Sequence, residues 1–198
     1  MTTSAELRRD VDVLLRGFQV SWKISKDSRF TLNERLLVAF LLDDPFQGEM
    51  PHLLTDEFLY KCFRWDPVTI DRTLQKLLKK KVLLDLSPKN NLTRCSDHMV
   101  AINTVAMKKY DLGCSGWHWR SWMVTNTDLT LQEIAVYSII AEYAFRQEDI
   151  EDHTIQTLAR ISSKMEKRII HKLVRFGFIK VKCRRQAGQT VCSIFVLR

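Results

Sequence analysis

One signature occurs twice in this chain, and it limits the possible folds more than any other feature. Ser21-Trp22 precedes Thr31-Leu32-Asn33-Glu34 and the apolar run Leu36-Leu37-Val38-Ala39-Phe40-Leu41-Leu42. Ser121-Trp122 precedes Thr130-Leu131-Gln132-Glu133 and Ile134-Ala135-Val136-Tyr137-Ser138-Ile139-Ile140-Ala141, an offset of 99 to 100 residues. Further on, Leu74–Leu83 aligns with Ile170–Ile179 at an offset of 96, so the first copy holds about three extra residues, which fit a loop at Pro45–Pro51. A repeat of this kind means that one supersecondary unit is used twice.

The charge follows the same period. Residues 1–60 carry 7 basic and 10 acidic groups, 61–110 carry 11 and 4, 111–155 carry 2 and 8, and 156–198 carry 11 and 1. The chain therefore runs acidic, basic, acidic, basic. Its net charge of +8 favours a polyanionic partner. With 45% apolar residues, 27% charged residues and few Gly or Pro, 198 residues can bury one or two cores, which excludes disordered and collagen-like classes. No run approaches 18 apolar residues, and Met1–Asp10 has no apolar stretch of the signal-peptide kind. A cytoplasmic, nucleoid-associated protein is the expectation, with its five cysteines reduced.

The second copy shows what one unit contains. Thr130 and Glu133 have capping-box spacing, and Ile134, Tyr137, Ile140, Ala141 and Ala144 recur at helical spacing, which predicts a helix over 131–146. After an acidic linker (Glu148, Asp149, Glu151, Asp152), a short helix is expected over Thr154–Ile161, with Ile155, Leu158 and Ala159 inward. Ser162-Ser163 reads as a turn and cap. A third helix follows over Lys164–Phe176, with Ile170, Leu173 and Phe176 inward and Gly177 as its left-handed stop. Two alternating strands, Phe178–Arg185 and Thr190–Leu197, surround Ala187-Gly188. A two-residue turn there pairs 183 with 192, 181 with 194 and 179 with 196, leaving Lys180, Lys182 and Arg184 on the outer face.

Helix, short helix, turn, third helix and basic hairpin is the order of a winged helix-turn-helix. The stretch Arg168-Ile169-Ile170-His171-Lys172-Leu173-Val174-Arg175-Phe176-Gly177-Phe178-Ile179 resembles the recognition helix and first wing strand of bacterial winged-helix proteins. The preamble Trp122…Leu129-Thr130-Leu131-x-Glu133 is similar to modules of plasmid and phage replication initiators and related regulators. The resemblance covers residues 20–86 and 120–197. It implies an α+β, mainly α fold with two winged helix-turn-helix domains in tandem, at 20–110 and 111–198, after an N-terminal helix at 1–19. The first copy departs from the pattern. Lys81 stands where the second copy has Gly177, so its helix is expected to end in another way, and its wing (Leu83–Leu86, Met99–Asn103) is interrupted by Ser87–His98.

In a helix-turn-helix the exposed face of the third helix meets base edges and phosphates in the major groove. The exposed set here is Ser163, Lys164, Lys167, Arg168, His171, Lys172 and Arg175. Arg168 is expected to take a guanine, because its planar fork matches O6 and N7. Lys164, Lys167 and Lys172 are expected to neutralise phosphates, and Lys182, Arg184 and Arg185 to reach the backbone or the minor groove. In the first copy the set is Thr69, Arg72, Gln75, Lys76 and Lys79, with Lys80 and Lys81 at the helix end. Arg72 and Gln75 suit G and A, and a scaffold or dimerisation role for this copy is the alternative.

Other features have readings from different classes. Leu7, Val11, Leu14, Leu15 and Phe18 make an amphipathic stripe expected to pack on the first unit, or in a dimer contact. Cys95-x-x-His98 and Cys114-x-x-x-His118 have metal-like composition but no specific zinc spacing, so free thiols and surface imidazoles are expected. Cys183 and Cys192 are opposed small hydrophobes, or a cross-strand pair. Trp117, Trp119 and Trp122 read as core aromatics joining the units, with base stacking as the rival. No P-loop, dinucleotide fingerprint, zinc-protease motif or nucleophile elbow is present. No catalytic residue, metal or cofactor is expected.

The function expected is sequence-specific binding of double-stranded DNA as a transcriptional regulator. A plasmid or phage replication initiator or partition accessory protein is the alternative, and a winged-helix protein–protein scaffold is the rival from another class. Partners would be double-stranded DNA, a second copy, or another protein on the first domain, and no membrane.

Overall fold

The computed structural model describes residues 17–43, 52–87, 97–110, 115–150, 153–186 and 189–197. The protein is α+β and mainly helical, with three small antiparallel sheets among the described residues. It divides into two compact units, Met1–Asp128 and Leu129–Arg198. Residues 111–128, assigned from sequence to the second domain, thus belong to the first unit. Of the N-terminal helix expected at 1–19, residues 1–16 lie outside the described residues, as does the Pro45–Pro51 loop; residues 17–19 are not helical, since Gly17 is left-handed and Phe18 and Gln19 are drawn into a strand by pairing with Trp119 and His118.

The first unit begins with β1 (Phe18–Ser21) and α1 (Trp22–Lys26), then α2 (Leu32–Asp43). Thr31 and Glu34 cap α2 reciprocally. The Thr31 N–H donates to Glu34 Oε2 at 2.6 Å, and the Glu34 N–H donates to Thr31 Oγ1 at 3.4 Å. Every residue from Glu34 to Leu41 is buried, so α2 is the central helix of the unit. Next come β2 (His52–Thr55), α3 (Asp56–Phe63) and α4 (Pro67–Lys79), then β3 (Leu83–Asp85) and β4 (Asp97–Ile102). β4 lies between β2 and β3. The β3–β4 pair is the expected wing, whereas β2 was not read from the sequence.

After α5 (Thr104–Met107) and a 3₁₀ turn (Lys108–Tyr110), the chain enters β5 (Gly116–Trp119) and α6 (Trp122–Asn126). β5 pairs with β1, setting Phe18 opposite Trp119 and Val20 opposite Trp117. The backbones approach so closely that a Cβ on Gly116 would lie 2.3 Å from the Val20 carbonyl oxygen. Trp117 and Trp119 are fully buried, with Trp119 against Phe18 and Phe63. They are core of the first unit, which removes them from base stacking.

The second unit contains α7 (Leu131–Arg146), α8 (Thr154–Ala159), α9 (Ser163–Arg175), β6 (Ile179–Gln186) and β7 (Gln189–Val196). The capping box of Thr130 and Glu133 is formed. Ile134, Tyr137, Ile140 and Ala141 are buried as expected, but Ala144 is exposed, because the last turn of α7 extends past the core. Ile155, Leu158 and Ala159 are buried. On α9 the inward face is Ile169 and Leu173, with Ile170 half-buried and Phe176 51% exposed. The inward stripe therefore centres on Ile169 and Leu173 with Ile170 at its margin, and Phe176, the C-cap, lies past the end of the helix and outside the core. The hairpin register agrees with the sequence reading, with Ile179 opposite Val196, Val181 opposite Ile194 and Cys183 opposite Cys192.

Some backbone conformations recur at the 96-residue offset. Arg64, ending α3, and Arg160, ending α8, are both left-handed, at φ 52° and 56°. Asp66 and Ser162 then N-cap α4 and α9 with their side chains. Lys81 and Gly177 follow α4 and α9, at φ 56° and 72°. The expectation that α4 ends in a different way is therefore corrected. The Lys81 N–H donates to Leu78 O and the Val82 N–H to Leu77 O, as the Gly177 N–H donates to Val174 O and the Phe178 N–H to Leu173 O. Both are Schellman closures. Burial of Val82 and the bond from Asn103 Nδ2 to the Lys81 carbonyl hold a lysine where glycine fits with less strain.

Candidate nucleic-acid interface

α9 is strongly amphipathic, with its buried residues in one narrow stripe and Val174 exposed outside it. Ile169 and Leu173 turn inward, and Lys164, Lys167, Arg168, His171 and Arg175 are all exposed. Ser162 fixes where the helix starts, accepting from the Met165 N–H at 3.3 Å. The carboxylate on the helix, Glu166, is half-buried and accepts from Gln156 Nε2 of α8 at 2.8 Å, so it is drawn off the basic face. Arg168 lies 3.1 Å from Met165 Sδ through one guanidinium nitrogen, a weak contact that holds the side chain along the helix. Ser163, in the first turn of α9, is exposed beside them.

Lys172 differs from its neighbours. It is half-buried, and its Nζ donates to Glu133 Oε2 at 2.8 Å while standing 5.5 Å over the Phe176 ring. Burial alone would raise the Glu133 carboxyl. The bond from Lys172 and those from Thr130 outweigh it, holding the group below the usual carboxylate range. Lys172, expected to contact phosphate, thus also has an ion-pair partner within its own unit. The partner, Glu133, was legible only as a helix cap.

The hairpin extends the basic surface. Lys180 and Lys182 are exposed on the outer face of β6, and Lys182 Nζ lies 5.2 Å over the Phe195 ring. Lys180 was missed as a site residue although the strand alternation points to it. Arg184 and Arg185 pair through their backbones with Val191 and Thr190, and their side chains lie outside the described residues.

In the first unit, Arg72, Gln75, Lys76 and Lys79 are exposed on α4, and Thr69 is half-buried in its first turn. Here the face is of mixed sign, since Asp66 and Asp71 are exposed on it as well. Lys80 Nζ donates to the buried Glu34 carboxylate at 2.7 Å and to the Arg29 carbonyl at 2.6 Å. Burial tends to raise Glu34, but Lys80 and Thr31 hold it below its ordinary value. The cap-to-lysine pair thus occurs in both units, although the lysine comes from different positions of the third helix.

Of the metal-like constellation, Cys95 and Cys114 lie outside the described residues. His98 Nε2 is 3.4 Å from Asp56 Oδ1 and 3.9 Å from Asp71 Oδ1. Among the described residues no group of three His, Cys, Asp or Glu is placed to hold a metal ion. No described helix is long and apolar enough to cross a membrane. No family model, curated protein or solved structure matches the chain.

Proposed function

We propose that the chain is a sequence-specific double-stranded-DNA-binding protein built of two winged helix-turn-helix units in tandem, and that it acts as a transcriptional regulator. The observation that carries this reading is α9, which exposes Lys164, Lys167, Arg168, His171 and Arg175 while its carboxylate is bonded away to Gln156. A solvated helix mixes both signs, whereas a helix that enters a groove between phosphates presents one. The recurrence of left-handed turns at Arg64/Arg160 and Lys81/Gly177 supports the duplication, and the strand order β2-β4-β3 supports a winged-helix first unit. Arg168 would read a base edge, Lys164, Lys167 and Arg175 would set phosphate contacts, and Lys180 and Lys182 would extend them along the backbone.

The test is fluorescence-anisotropy binding to a mixed-sequence duplex of about 30 base pairs at several salt concentrations. Neutralisation of several phosphates gives a log–log slope of about −4 or steeper. Absence of binding at low salt overturns the proposal and leaves the scaffold reading in its place. A footprint over a promoter region then separates a regulator from an initiator, which protects repeated sites at an origin.

A further inference from the structure

The β6–β7 hairpin has two unlike faces. Lys180 is paired with Phe195 and Lys182 with Ser193, which puts these four on one side. Leu197 continues that side, its N–H donating to Phe178 O at 3.0 Å. All five are exposed, Phe195 at 44% and Leu197 at 52%, whereas on the other side Ile179 is buried and Val181, Ile194 and Val196 are half-buried. An aromatic ring thus stands in water beside two lysines, one of which, Lys182, holds its Nζ 5.2 Å over the ring. Residues 167–198 contain no Asp or Glu, so no carboxylate of the hairpin competes for these cations. At the 96-residue offset the first unit has Leu84 and Leu86 in place of Lys180 and Lys182, so the combination is not repeated there.

The composition of the face selects its occupant. An exposed ring flanked by cations suits a ligand that carries a flat π face next to a negative charge, which describes a nucleotide whose base is open. In an intact duplex each base face is covered by its neighbours, so a duplex meets the lysines through its phosphates and leaves the ring without a partner. A protein partner fits less well, because lysine is depleted at the cores of protein interfaces. The Lys182 contact does not close the site. An exposed cation–π contact is weak, and an ammonium that leaves the ring can pair with the phosphate of the stacked nucleotide. We infer that the outer face of the β6–β7 hairpin binds unpaired DNA bases, with Phe195 stacking on a base and Lys180 and Lys182 holding the flanking phosphates. The choice of DNA over RNA rests on the proposed binding of double-stranded DNA, and the target implied is a duplex held by α9 beside an unpaired stretch.

The experiment measures binding of the full-length protein to four labelled probes by anisotropy. These are an oligothymidine of about 12 nucleotides, an abasic strand and an oligouridine of the same length, and a duplex of about 30 base pairs. Wild type should bind the oligothymidine about tenfold more tightly than the abasic strand. Phe195→Ala and Phe195→Leu should each lose about tenfold on the oligothymidine, since leucine keeps apolar area but has no ring face, and Phe195→Trp should bind at least as tightly as wild type. Duplex affinity should be the same in all three variants. Lys180→Ala/Lys182→Ala should reduce the salt slope on the oligothymidine by about 1.4, or about 0.7 per phosphate of a single strand. Equal binding of the abasic strand overturns the inference, as does a Phe195→Leu that binds like wild type. Tighter binding of the oligouridine overturns the assignment to DNA, and a wild-type dimer by light scattering that Phe195→Ala dissociates gives the face to a second copy. Duplex binding without oligothymidine binding overturns this inference alone, whereas the converse overturns the duplex reading and leaves the platform. Should the Phe195 variants fail to fold by circular dichroism, photocross-linking of wild type to an iododeoxyuridine strand should place the adduct on Phe195, and adducts confined elsewhere overturn the inference.

Discussion

Lys172, in the last turn of α9, donates to the buried carboxylate of Glu133 in the first turn of α7 at 2.8 Å. One carboxylate thereby caps the first helix of the unit and holds the third helix against it. The Lys80–Glu34 pair, at 2.7 Å, does the same in the first unit. A lysine in this position acts on how the helix is placed.

Lys172→Ala should accordingly lower the stability of the second unit by about 1–3 kcal/mol, because it leaves a buried carboxylate without its strongest donor. Urea denaturation measures the loss. The salt slope of DNA binding should stay unchanged in this variant, and a slope reduced by one would place Lys172 in the phosphate-binding set.

Acid sensitivity follows from the same pairs. Glu34 and Glu133 have folded values below their ordinary value of 4.5. Their contribution is complete above the unfolded value and is lost as pH falls through the folded one. Asp27, held low by Arg29 and Tyr110 despite its partial burial, adds in the same direction. Thermal unfolding between pH 7 and 2 should show the fall starting below about 4.5 and shrinking in Glu34→Gln/Glu133→Gln.

Lys81 holds a left-handed conformation that glycine occupies at Gly177. Lys81→Gly should raise stability by up to about 1 kcal/mol, and Gly177→Ala should lower it by a similar amount. The urea midpoint should move while the m-value stays constant. A loss of stability in Lys81→Gly would mean that unfolded-chain entropy outweighs the relieved strain.

On DNA, Arg168→Ala should cost about 1–3 kcal/mol and relax preference at one base pair, while Lys167→Ala should weaken all sequences alike and reduce the salt slope by about one. Competition binding with single-base variants of the selected site separates the two. Equal loss across all variants for Arg168→Ala would assign it to phosphate.

Legibility was greatest where the signal is local. The capping box at Thr130, the helical stretch Leu131–Arg146, the glycine stop at Gly177 and the hairpin register through Cys183 and Cys192 follow from spacing, because helix and strand periods and turn geometry act over a few residues. The sequence by itself therefore determined the element order of the second unit and its basic face. The tertiary structure alone decided four things: the pairing of Lys172 to Glu133, the addition of β2 to the β3–β4 pair, the placement of the expected core residues Trp117 and Trp119 within the first unit, and the left-handed Lys81. Each depends on contacts between segments distant in the chain, and burial and hydrogen bonding there override what the local residues prefer.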